Sequence, residues 1–216
     1  MSQPNDPEFA HTFLPAPPGV PHPVTLLLLP GTGGDENDLV PLGRDLRPDA
    51  ALLGVRGQVS EGGLSRFFRR FAEGVFDVED LKSRTGDLAR FVRAASERYR
   101  FSRRRLIALG YSNGANMAAS LMLLHPQALG AGLLFRAMVP FVPDTARDFS
   151  HLSVFLAAGD RDPMVPPEQP EALATMFARG GADVTLRWLR GGHALGREDI
   201  EAARAWLADT VGKRAA

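Results

Sequence analysis

Four segments of the chain, Val24–Leu29, Ala51–Val55, Leu106–Leu109 and Val154–Ala158, are aliphatic, aromatic or β-branched apart from Gly54 and carry no charged residue. A strand covered on both faces reads this way, because both alternating sets of side chains enter a core. The four runs predict a mainly parallel sheet. Between them the period changes. Leu81, Leu88, Val92, Ala95 and Tyr99 recur three, four or seven residues apart, which is the spacing of one helical face. Asp77 stands ahead of that stripe as an N-cap, its carboxylate able to accept from a free N–H of the first turn. Ile200, Ala203, Leu207 and Val211 predict a last helix from about Glu198, with Glu201, Arg204 and Asp209 toward water. Strand and helix alternating along one chain predict an α/β protein, an open sheet with helices on both faces. At 216 residues the chain is long enough for one well-buried core and short for two. A single domain over residues 24–216 is therefore expected. It is preceded by an irregular entry, residues 1–23, compatible with being part of the domain, that ends in the Pro-rich PAPPGVPHP, a rigid surface connection.

Ligands of such sheets bind beyond the C-terminal ends of the strands. The first apolar run opens into Pro30-Gly31-Thr32-Gly33-Gly34, followed by Asp35, Glu36 and Asp38. A glycine loop in this place can aim its N–H groups at an anion. It is not a phosphate loop, however: no Lys-Ser or Lys-Thr follows the last Gly, there is no dinucleotide fingerprint, and the carboxylates would repel a phosphate. Those acidic side chains are expected to cap the following helix and point away from the site.

RLIALG reads as a strand, Gly110-Tyr111-Ser112-Asn113-Gly114 follows, and ANMAASLMLL reads as a helix with Met117, Leu121 and Leu124 inward. In that setting G-x-S-x-G is a tight, strained turn that leaves the Ser112 hydroxyl exposed at the start of a helix. Outside it the pattern is weak. A serine nucleophile needs a base, which in this order of catalytic residues comes later in the chain. His11 and His22 precede Ser112, His125 ends the helix after it, and His151 directly precedes a strand. His193 follows VTLRWL in a Gly191-Gly192 loop ahead of the last helix, so it can project over the strand ends. The third member is a carboxylate that holds the imidazole by its other nitrogen. AAGDRDPMVPP supplies two. Asp162, biased to an extended conformation by Pro163, is preferred over Asp160, which can instead bond its own turn. The glycine loop then has a use: acyl transfer through a serine builds an oxyanion that needs two backbone donors. Asn113, the residue after the nucleophile, gives one and Thr32 the other.

Composition narrows the partners. Lys plus Arg and Asp plus Glu number 25 each and Cys is absent. The balance removes a general electrostatic case for nucleic acid or an anionic membrane. The lack of Cys excludes disulfides, thiolate catalysis and Cys-ligated metals, and with them a dienelactone-type Cys nucleophile. MSQPNDPEFAH has no basic region with an apolar stretch behind it, and a cytoplasmic protein acting on a small ester is the expectation. No metal or organic cofactor is required by the chemistry. Arg66, Phe67, Phe68 and Phe71, with Met138, Val139 and Met164 near strand ends, are candidates for the substrate pocket. There is no room for a large lid. A monomer and a homodimer are equally compatible with the apolar last helix. The competing reading is a binding or scaffold protein that retains the fold without catalysis.

LLLLPGTGGDEND, LGYSNGANMA, AAGDRDPMVPP and GGHALG, in this order, resemble the small α/β-hydrolase carboxylesterases that include acyl-protein thioesterases and lysophospholipases. The resemblance runs from about Val24 to Trp206. Within that group RGQVSEGGLSRFFRRFAEGVFDVEDL is similar to bacterial hydrolases associated with hydroquinone or catechol resistance. The resemblance implies the α/β-hydrolase fold, a Ser112, Asp162 and His193 triad, and Thr32 and Asn113 as oxyanion donors. Pro30 stands where such proteins usually have His. Any bond from that side chain is lost, while the Thr32 N–H remains.

Overall fold

Each predicted two-sided strand lies inside one seven-stranded sheet, and the reason is visible in the alternation of its side chains. In β2 (Thr25–Leu29), Leu27 and Leu29 enter one core while Leu26 and Leu28 enter the other, as the period of two requires. The computed structural model describes residues 8–145 and 147–215; the stretch MSQPNDP at residues 1–7, part of the targeting argument above, lies outside them. The remaining strands of the sheet are β1 (His11–Leu14), β3 (Ala51–Val55), β8 (Leu106–Tyr111), β9 (Ala131–Phe135), β10 (Ser153–Gly159) and β11 (Asp183–Leu189). Their order is β1-β3-β2-β8-β9-β10-β11, and only β1 runs antiparallel to its neighbour. β1 comes from the N-terminal segment expected to be irregular. It is held there because His11 bonds the Tyr99 hydroxyl at 2.8 Å and Phe13 stacks on the Tyr99 ring at 4.1 Å.

Two short hairpins follow β3: β4 (Val59–Glu61) with β5 (Leu64–Arg66), and β6 (Arg70–Ala72) with β7 (Val75–Phe76). The first closes on Gly62 and Gly63, both at positive φ, which a two-residue hairpin loop of this kind needs. Helices cover both faces. α2 (Val78–Tyr99), α3 (Asn113–Leu124) and α4 (Glu168–Arg179) build one core, α1 (Val40–Leu46) and α5 (Arg197–Ala215) the other. α2 buries Leu81, Leu88, Val92 and Ala95, with Phe91 added to the stripe. Each of the larger side chains contributes about 1.5–3 kcal/mol of burial. Its start is set by Asp77, whose side chain accepts from the Asp80 N–H at 3.1 Å.

The chain leaves β2 for β3 on one side and then crosses back to β8 on the other. The crevice beyond the C-terminal ends of β2 and β8 is where such a reversal binds ligands. β2 ends at Leu29 and β8 at Tyr111, so the glycine loop and Ser112 open into that crevice together. The acidic residues of the loop do not cap α1, contrary to expectation. Asp35 accepts from the Asn37 N–H, Asp38 from the Asp35 N–H, and Glu36 pairs with Arg56 at 2.6 Å. α1 begins later and has no side-chain cap. The carboxylates close the loop on itself and fasten it to the residue after β3.

Candidate active site

Ser112 joins β8 to α3 with φ 52° and ψ −117°, a conformation a non-glycine residue holds only when its surroundings impose it. The neighbouring glycines show what imposes it. A Cβ at Gly110 would lie 2.6 Å from the Ala115 Cα, and one at Gly114 would lie 1.9 Å from the Leu29 carbonyl oxygen. Backbone meets backbone at both points, so no side chain can move aside. Gly114→Ala is expected to destabilise the fold by roughly 1–3 kcal/mol or more through this overlap. A chemical denaturation midpoint unchanged from wild type would contradict it.

His193 meets Ser112 from the loop after β11. Its Nε2 is 2.9 Å from Ser112 Oγ, and its Nδ1 is 2.8 Å from Asp162 Oδ2. The Asp162 side chain is 1 % exposed and that of His193 18 %. A buried carboxylate accepts, so the proton of the neutral ring sits on Nδ1 and Nε2 is left to accept from the Ser112 hydroxyl. Asp162 Oδ1 in turn accepts from the Met164 and Val165 N–H groups at 2.8 and 3.3 Å. Asp160 is engaged elsewhere: it accepts from the Gly191 N–H at 2.9 Å. The two carboxylates have divided the labour, one on the imidazole and one on the turn that carries it.

The glycine loop passes directly against Ser112. A Cβ at Gly31 would be 3.1 Å from the Tyr111 ring and 3.6 Å from Ser112 Cβ. Thr32 follows, its hydroxyl accepting from Arg66 Nη1 at 2.7 Å, and the Gly33 N–H donates to the Ser65 carbonyl at 2.8 Å. Asn113 is the first residue of α3, so its N–H has no partner within the helix. Its side-chain oxygen accepts from the Phe67 N–H at 2.8 Å. The segment from β5 to Phe67 thus braces both loops that flank the serine.

A cavity of about 50 Å³ is lined by Thr32, Ser112, Asn113 and His193 together with Arg66, Arg70, Phe76, Met138 and Met164. That is room for roughly three to five water molecules. A larger groove of about 570 Å³, with Phe149 and Arg179 in its wall, holds none of these residues. Of the predicted pocket residues, Arg66, Met138 and Met164 line it. Phe67 and Phe68 are buried core side chains and Phe71 is 77 % exposed on the second hairpin. Val139 packs against the core. None of these four lines the cavity: Phe67, Phe68 and Val139 are drawn into or against one core, where apolar burial holds them, and Phe71 is turned to solvent on β6. Arg66 is buried, and burial, with Arg70 beside it, pushes its guanidinium below the ordinary value against the opposing pull of Glu61 and Glu73.

Two residues at the site carried no signal in sequence. Tyr111, the variable position before the serine, donates from its hydroxyl to the His193 carbonyl at 3.2 Å, and burial raises the pKa of that hydroxyl. Arg136 follows β9, lies within the cavity wall, and reaches under the His193 loop. Only the sheet brings it there.

A sequence profile of the Phospholipase/Carboxylesterase family matches residues 74–211. The chain belongs to that family. The matched span includes Ser112, Asp162 and His193, while the Thr32 loop precedes it. Family membership makes the chain an enzyme, a serine hydrolase acting on carboxylic esters, with the α/β-hydrolase fold. MhqD of Bacillus subtilis (strain 168), named as a candidate hydrolase, is 46 % identical over 186 residues, covering 86 % of this chain and 93 % of that protein. The Bacillus cereus carboxylesterase superposes with a TM-score of 0.89 at 41 % identity, over 93 % of this chain and 94 % of its own. A carboxylesterase from Mesorhizobium loti gives a TM-score of 0.86 at 35 % identity, over the same shares of the two chains. Among the described residues, no helix is long and apolar enough to cross a membrane.

Proposed function

We propose that this family member hydrolyses small carboxylic esters or thioesters through an acyl-enzyme on Ser112. The observation that carries the proposal is the unbroken line of contacts from Asp162 through His193 to Ser112, at 2.8 and 2.9 Å. His193 Nε2 takes the hydroxyl proton as Ser112 Oγ attacks the carbonyl carbon. The oxygen of the carbonyl becomes an oxyanion facing the Thr32 and Asn113 N–H groups. Collapse expels the alcohol or thiol, which leaves with the proton from Nε2, and the acyl group stays on Oγ. Water then repeats the sequence: Nε2 removes its proton, the hydroxide oxygen bonds to the acyl carbon, and Ser112 Oγ leaves, recovering that proton. Asp162 holds the ring and stabilises the imidazolium formed in each half-reaction.

The small volume of the cavity, about 50 Å³, favours acyl groups of a few carbons. The test is a p-nitrophenyl ester series from acetate to decanoate, run beside fluorophosphonate labelling with peptide mapping of the adduct. Turnover falling with chain length and an adduct on the Ser112 peptide are expected. An adduct on any other residue, or none on an active enzyme, would contradict the mechanism.

A further inference from the structure

From the contacts of its buried side chain, we infer that Arg136 is a positioning residue for the reaction, fixing His193 and Asp162 relative to Ser112. The inference rests on the triad proposed above. Arg136 follows β9 at φ 59°, and its side chain is 0 % exposed. Its guanidinium has five N–H donors, and each has an acceptor. Nε donates to the Gly192 carbonyl at 2.9 Å. Nη1 donates to the Ala157 carbonyl at 3.2 Å and to Asp199 Oδ1 at 2.7 Å. Nη2 donates to the Ala194 carbonyl at 3.3 Å and to Asp199 Oδ2 at 2.9 Å. No donor remains for a substrate, although the residue forms part of the cavity wall, so its role is exercised through other residues.

Those residues are the ones the chemistry depends on. Gly192 and Ala194 flank His193, and the His193 carbonyl between them is held by the Tyr111 hydroxyl. Three consecutive carbonyls of the histidine loop are therefore tied by two side chains, one preceding Ser112 in the chain and one directly following β9. Arg136 Nε also lies 3.9 Å from Asp162 Oδ2, the oxygen that holds His193 Nδ1, so a fixed cation stands beside the carboxylate of the triad. The Ser112 N–H donates to the Phe135 carbonyl, one residue before Arg136, at 2.9 Å. One short stretch of backbone thereby connects nucleophile, base and acid. Asp199, in the first turn of α5, holds the guanidinium in register, and it also accepts from the Gly196 N–H at 2.8 Å.

A buried ion pair by itself is weak evidence of a stabilising purpose, since a well-packed apolar pair often replaces it without loss. That makes the role separable from stability. The test compares wild type, Arg136→Lys and the double variant Arg136→Met with Asp199→Leu, which removes the pair without leaving a lone buried charge. Activity on p-nitrophenyl acetate is referred to sites titrated with a fluorophosphonate, so that unfolded molecules do not count. The low-field proton resonance of His193 Nδ1–H is followed in parallel. In the double variant kcat per titrated site is expected to fall about 10²-fold, the usual consequence of a misplaced catalytic group. KM should stay within a few-fold, and the low-field resonance should shift or vanish. Arg136→Lys keeps the charge but has no planar fork to reach Gly192, Ala194 and Asp199 together, and should recover only part of the rate. If either folded variant keeps the wild-type kcat per site and an unchanged resonance, Arg136 is structural only and the inference fails. A wild type that neither turns over nor labels would remove the triad itself, and the inference with it.

Discussion

Ser112→Ala is expected to abolish ester turnover, with kcat reduced by about 10⁶-fold, because nucleophile and base act as one unit and loss of either removes the covalent route. What survives is the weak catalysis available from binding and the oxyanion donors alone. The fold should survive intact. Alanine keeps the Cβ already accommodated at φ 52°, and the atom removed bonds only to His193 Nε2 among the contacts of the serine side chain. Substrate affinity should change little, since the Thr32 and Asn113 donors and the cavity walls remain. Two measurements check this: steady-state hydrolysis of p-nitrophenyl acetate, and fluorophosphonate labelling, which should disappear completely. A variant that retains a few per cent of wild-type kcat would show that the nucleophile lies elsewhere.

What could be read from sequence was whatever depends on local order. The strands β2, β3, β8 and β10 announced themselves because burial on both faces removes every charged side chain from a run. α2 and α5 were legible from their spacing, and the Asp77 cap from its place ahead of the stripe. Ser112, Asp162 and His193 were legible as candidates because each ends or follows a readable strand, and the ends of parallel strands converge. The hairpins between β3 and α2 were missed, although Gly62-Gly63 between Glu61 and Leu64 is the kind of dipeptide that forms such a turn. Reading RFFRRF as an aromatic pocket ignored that hairpin: Phe67 and Phe68 are drawn into the core and Phe71 is turned out. Arg136 was invisible for a different reason. Its partner Asp199 lies 63 residues away and its other acceptors are backbone carbonyls, which no side-chain pattern encodes. The Thr32 loop was legible by position, but the bond to its hydroxyl from Arg66 comes from the missed hairpin.

Asp162→Asn is expected to lower kcat by about 10⁴-fold, whereas Asp160→Asn should leave it close to wild type. The difference follows from what each carboxylate bonds. Asp162 Oδ1 accepts from the N–H groups of Met164 and Val165 and Oδ2 accepts from His193 Nδ1. An asparagine that keeps its oxygen on the two backbone donors must turn its NH₂ toward the imidazole. Donor then faces donor. The ring escapes by moving its proton to Nε2, where it points at Ser112 Oγ and leaves no lone pair to accept the hydroxyl proton. Asp160 accepts one hydrogen bond, from the Gly191 N–H, which an asparagine oxygen accepts equally well, and its ion pair with Arg161 at 3.7 Å is solvent-exposed and worth little. Comparison of the two variants in the same ester assay, with thermal midpoints taken on both, separates loss of the base from loss of the fold. Equal losses of kcat would mean that the loop carrying His193, rather than the tautomer of its ring, limits the reaction. A deficit confined to Asp160→Asn would move the third catalytic position two residues back along the chain.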